Sequence, residues 1–176
     1  MNTFVLELWF DETKRCNFYT VRWDDAEISE TDHFFEKYEK HENLYSDEAY
    51  VLLRLITVTI GDVHGAIDDF FDRTENNALA LPPKPKNWIP EIMEIGTHFP
   101  LRLYCIRISE SIVVLFNGGI KNKRTAQESD DIRMRFYEAQ AFAQRIYHAL
   151  QDGTIIIDND LRTLRDYQGN TEIILY

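Results

Sequence analysis

Cysteine is almost absent from this chain: Cys16 and Cys105 are its only two, far apart and in no ligand-like spacing. That excludes a disulfide framework or a cysteine-rich metal site and reads as two reduced thiols. Long apolar runs are missing too, since none approaches the ~20 residues a membrane-spanning helix needs. Glu7 and Asp11 stand where a secretory leader would carry a basic segment and then an apolar one, so a cytoplasmic protein is expected. Internal repeats and low-complexity tracts are absent. Cations are in short supply, with 19 Lys and Arg against 30 Asp and Glu, a net charge of −11. Because phosphate neutralisation supplies most nucleic-acid affinity, that balance excludes general nucleic-acid binding and leaves room only for a local patch.

With 176 residues, 44% hydrophobic and 28% charged, the chain can build one domain around a proper core. The charge is uneven. Residues 1 to 100 hold 9 Lys or Arg and 20 Asp or Glu, whereas residues 101 to 176 hold 10 of each. Phe4 to Phe10 and Cys16 to Trp23 alternate as two strands of an N-terminal hairpin. Phe34, Phe35 and Tyr38 mark a short helix, with Thr31 or Asp32 as its cap. Ala49, Leu52, Leu53, Ile56, Ile60, Val63, Ile67, Phe70 and Phe71 form a stripe at helical steps, which predicts one long helix or two parted near Gly61. The β-branched run Ile56 to Ile60 would also suit a strand. Residues 76 to 90, with Pro82, Pro83, Pro85 and Pro90, are expected to break regular structure as a connection within the one domain.

The region from Leu101 to Gln151 carries most information. Arg102 to Ile108 and Ser111 to Phe116 read as a second hairpin, and Gly118-Gly119 as a hinge into the loop Ile120-Lys121-Asn122-Lys123-Arg124. Three cations in four positions are out of character in so acidic a chain and mark a candidate anion site. An amphipathic helix follows from about Asp130 to Leu150, with Ile132, Phe136, Ala139, Phe142, Ala143, Ile146 and Leu150 on one face and Gly153 ending it. Thr154 to Ile157 and Glu172 to Tyr176 read as terminal strands. The expected class is α+β: an antiparallel sheet built from two hairpins, with the long central helix and the later amphipathic helix covering one face.

Taken together, residues 91 to 146 resemble the RelE/HigB-like toxin superfamily, including its phage-encoded branch. The matching residues are Leu101-Arg102-Leu103-Tyr104, Ile112 to Phe116, Lys121 and Lys123 in the loop, and Glu138-Ala139 in the helix. The resemblance implies metal-free, ribosome-dependent cleavage of mRNA, with no cofactor and an antitoxin-like protein partner. Lys121, Lys123 and Arg124 would then stabilise the phosphorane that forms as the 2′-hydroxyl attacks, and Tyr104 would shuttle a proton. Arg102, Arg107 and Tyr137 would bind RNA, although the odd spacing of the two arginines puts them on opposite strand faces. RNA contact is expected only through this local basic loop, and no membrane contact is expected.

Two other readings stand beside it. One is a non-catalytic interaction module on the same fold, using the acidic N-terminal part. The other rests on Gly61-Asp62-Val63-His64-Gly65, which looks like the first motif of the calcineurin-like metallophosphoesterases. Such enzymes need further carboxylate, Asn and His ligands for two metal ions. Their Gly-Asp-x-x-Asp-Arg and Gly-Asn-His motifs do not occur here.

Overall fold

A computed structural model of the chain describes residues 2–121 and 125–176. Its centre is a seven-stranded sheet in the order β3 (Thr74–Glu75), β4 (Ala78–Leu81), β5 (Leu101–Ser109), β6 (Ile112–Ile120), β2 (Asn17–Trp23), β1 (Phe4–Phe10) and β9 (Ile173–Leu175). The two hairpins form as their alternation predicts: β1 (Phe4–Phe10) with β2 (Asn17–Trp23), and β5 (Leu101–Ser109) with β6 (Ile112–Ile120). They meet along a parallel seam in which Asn17 to Thr20 pair with Ile112 to Leu115. The class is α+β with a mostly antiparallel sheet.

The helices α1 (Glu30–Tyr38) and α2 (Ser46–Arg54) lie on one face and α4 (Ala126–Asp152) on the other, rather than together on one face. The cause is visible in the central strands. On β6, Val113 and Leu115 face the α1–α2 side while Ile112, Val114 and Phe116 face α4. All nine β6 positions are buried, as expected for a strand covered on both sides. The stripe predicted on α4 packs against its face, and Phe142 sits among Phe4, Trp23 and Phe116 at ring separations of 4.9, 4.8 and 5.5 Å.

Several local expectations change. Ser29 caps α1, accepting from the Asp32 amide at 3.1 Å, because the Thr31 hydroxyl is spent on the Phe116 carbonyl at 3.0 Å. Ile56 to Ile60 is helical: α2 runs without a break into a π-helical segment, Leu55–His64. There the wider i→i+5 winding turns each residue through less than the α-helical ~100°. The lag accumulates, so Ile60 stays buried while Val63 swings out to the surface. The helix ends at His64, short of Ile67, Phe70 and Phe71 in the predicted stripe, and Gly65 turns the chain with φ 78°.

The proline-rich stretch is not free of regular structure. β3 (Thr74–Glu75) and β4 (Ala78–Leu81) form a hairpin across Asn76, which adopts φ 58°. Leu79, Ala80 and Leu81 then pair with Cys105, Tyr104 and Leu103 of β5. A single helical turn, α3 (Pro90–Met93), follows. Gly118 and Gly119 are not a hinge but part of β6. A Cβ on Gly118 would fall 1.8 Å from the Arg102 carbonyl oxygen, so glycine is what lets β5 and β6 approach there. Beyond α4, β7 (Ile156–Ile157) and β8 (Leu164–Arg165) pair separately, and β9 (Ile173–Leu175) joins the edge of the main sheet beside β1.

Candidate anion site at the end of the central hairpin

Where β5 begins and β6 ends, side chains from four elements surround a pocket of about 400 Å³. Arg102 and Tyr104 come from β5, Lys121 from the residue after β6, Glu75 and Arg73 from β3 and the residue before it, and Ile132, Arg133 and Phe136 from α4. Gln140 of α4 fixes the β3–β4 turn to the helix, accepting from the Asn77 amide at 2.7 Å and donating to the Glu75 carbonyl at 2.5 Å. The Lys121 amide donates to the Pro100 carbonyl at 2.6 Å, which sets the mouth of the loop beside Arg102.

Arg102 is the unusual member. Its side chain lies opposite Gly119, and the residue is only 4% exposed. Nη1 donates to the carbonyls of Phe99 and Leu101, both at 2.8 Å. Nη2 is buried and has no partner among the described residues. Burial, then the neighbouring Arg73 charge, pull the Arg102 pKa down to about 10. Arg102 in turn, followed by burial and Arg73, lowers that of Lys121. Burial and the Glu75 charge, against the opposing pull of Arg102, push the Tyr104 hydroxyl up to about 12. Burial is the larger cause at Arg102 and Tyr104, and mutual repulsion among Arg73, Arg102 and Lys121 adds to the lowering at Arg102 and Lys121; an anion between these cations would relieve that repulsion.

The structure thus gathers Arg102, Tyr104 and Lys121, three of the residues singled out in the sequence. It does not bring Arg107 to them. Arg107 lies opposite Val113 on the other sheet face, donating to the Ala66 carbonyl and pairing with Asp68 at 3.2 Å. Tyr137 is 64% exposed on α4, its ring 5.6 Å from that of Phe136 and outside the pocket lining. Lys123 and Arg124 lie outside the described residues. Arg73, Glu75 and Arg133 join the site without having been marked in the sequence. Arg133 had a usable signal, being next to Ile132 on the apolar stripe of α4. Arg73 and Glu75 had none, because they reach the site only through the β3–β4 hairpin.

Asp62 and His64 do not emerge from a strand end. Both belong to the π-helical segment, where the Asp62 carboxylate accepts from the Lys14 amide at 3.0 Å and His64 lies 3.5 Å from Glu91. Among the described residues, no group of three or more His, Cys, Asp or Glu side chains is placed to hold a metal ion. Among the described residues no helix is long and apolar enough to cross a membrane. Comparison with protein-family models, curated proteins and solved structures gave no match.

Proposed function

We propose that this protein binds the phosphates of RNA through the Arg102 pocket, as a diverged relative of the RelE/HigB-like toxins that it resembles. The observation carrying this reading is the convergence of Arg73, Arg102, Lys121 and Arg133 on one pocket, with a buried Arg102 nitrogen that has no partner among the described residues. In a chain of net charge −11, such a cluster suits a locally bound anion and not a broad nucleic-acid surface.

The activity that follows is metal-free cleavage. The four cations would stabilise charge on the phosphorane formed by 2′-hydroxyl attack. Tyr104, held protonated near neutral pH, serves only as a donor. Glu75 is the carboxylate in the lining and the group available to accept the 2′-hydroxyl proton.

Induced expression in a bacterium tests this, comparing growth and mRNA integrity for the wild type and a Lys121→Ala/Arg133→Ala variant. Arrest with mRNA loss in the wild type alone is expected. Normal growth with intact mRNA in both would refute the nuclease reading and favour a non-catalytic module that binds an antitoxin-like partner. One observation favours that second reading: the exposed side chains Tyr50, Val51, Val58 and Val63 line a concavity along α2 and its π-helical extension, rimmed by Arg54, Glu91 and Glu94.

A further inference from the structure

We propose that the Arg102 pocket is a receptor for one phosphomonoester dianion, borne by a nucleotide or by a phosphorylated RNA end. The proposal rests on the reading that the pocket meets phosphate, and adds which kind it takes: a monoester dianion carries the charge of the phosphorane, whereas a diester in its ground state carries one charge less.

The first support is an anchored guanidinium. Arg102 is anchored through Nη1 on two carbonyls, which fixes the plane of its guanidinium. Nη2 is buried and without a partner among the described residues, on a residue that lines the pocket. Arg73 is similarly anchored, its Nε donating to the Pro82 carbonyl at 2.8 Å. Planar guanidinium groups held in this way suit the oxygens of a phosphate.

The second support is charge balance. Arg73, Arg102, Lys121 and Arg133 face Glu75 in the lining, and Arg133 also pairs with Asp130 at 3.6 Å. Setting the two carboxylates against the four cations leaves two uncompensated positive charges. A phosphomonoester dianion neutralises both, whereas a carboxylate or a phosphodiester would leave one. The wall formed by Ile132 and Phe136 is apolar and aromatic, suited to a sugar or base attached to that phosphate. The larger hollow between α1 and α4, about 740 Å³, offers no such site for an anion, since Glu42, Glu128, Asp130 and Asp131 stand in its lining.

Calorimetric titration of the full chain at low ionic strength tests the proposal with four probes: adenosine monophosphate, inorganic phosphate, adenosine and the phosphodiester ApA. Both monoester-type dianions should bind, adenosine should not, and ApA should bind roughly tenfold or more weakly. Affinity should fall as pH drops through about 6, where the dianion takes up a proton. Adenosine monophosphate binding tighter than inorganic phosphate identifies a nucleotide or RNA end as the source, and equal binding a bare phosphate. Lys121→Gln and Arg133→Gln, both at exposed positions, should each weaken binding roughly tenfold. Arg102→Lys, checked by its melting curve to be folded, should abolish it by losing the fork.

Equal affinity for adenosine and its monophosphate, no heat with either dianion, or unchanged binding in the Lys121 and Arg133 variants would each overturn the proposal. Binding of the monophosphate by a protein that leaves mRNA intact would defeat the nuclease reading alone. Cleavage of mRNA by a protein indifferent to the monophosphate would defeat this inference alone.

Discussion

Gly118→Ala and Gly119→Ala differ by one position and should differ sharply in effect. At Gly118 the new Cβ would lie 1.8 Å from the Arg102 carbonyl oxygen and 2.8 Å from its carbonyl carbon. Real Cβ atoms essentially never come closer than 3.0 Å to a neighbour, so β5 and β6 would have to part by about 1.2 Å or more. Both atoms are backbone, and no side-chain rotation relieves the clash. Overpacking costs about 1–3 kcal/mol and each strained ladder hydrogen bond about 0.5–1.5 kcal/mol, giving roughly 3–5 kcal/mol in all. At roughly 2–4 °C per kcal/mol for a chain of this size, the melting temperature should fall by about 6–20 °C. At Gly119 the nearest atom is Ile132 Cβ at 3.2 Å, on a helix that can give by a few tenths of an ångström. That change should cost about 1 kcal/mol or less. Thermal denaturation followed by circular dichroism reads both. Equal melting temperatures for the two variants would refute the argument that β5 and β6 are held at glycine distance beside Arg102.

Phe142→Ala should destabilise by about 3–5 kcal/mol, since it removes a side chain packed against three aromatic rings; urea denaturation with an unchanged m-value would measure this. Burial pushes the Cys16 thiol up to about 12 against the opposing pull of Arg162, and burial likewise raises that of Cys105. Both should therefore resist a thiol reagent in the folded protein and react in denaturant. The unfolded chain releases these protons near the ordinary value of 9.0 and the folded one near 12 or above, so the thiols erode stability as pH rises from about 9 towards 12. A native thiol that titrates with the reagent at neutral pH would contradict the burial.

Both hairpins were legible because period-2 alternation is a local property, and the two-faced burial of β6 is why its sequence reads as an almost continuous apolar run. β4 was hidden for the opposite reason. Ala78-Leu79-Ala80-Leu81 has weak strand character and runs straight into prolines, and only pairing with Leu103 to Cys105 makes it a strand. The stripe from Ala49 to Ile60 was readable, but the change to i→i+5 winding was not, so Val63 was expected inside. At the site, Arg102, Tyr104 and Lys121 stood out as polar or basic groups at strand ends in an acidic chain. Alternation alone separated Arg107 from Arg102. Arg73 and Glu75 could not be found without knowing that β3 folds back beside β5, a contact set by tertiary structure.

The parallel seam between β2 and β6 has a kinetic consequence. Each hairpin closes over a short stretch of chain, but the seam joins Asn17 to Ile112, 95 positions apart. Closing so long a loop gains nothing until the intervening segments are gathered in, which makes the seam the slow part of folding. Until it closes, β2 and β6 each present an unpaired edge, and β6 is the most thoroughly buried strand of the sheet, apolar from Ile112 to Phe116. A nascent or stalled chain is therefore most open to pairing with a second copy of itself along these two strands, and crowded synthesis should find its misassembly there.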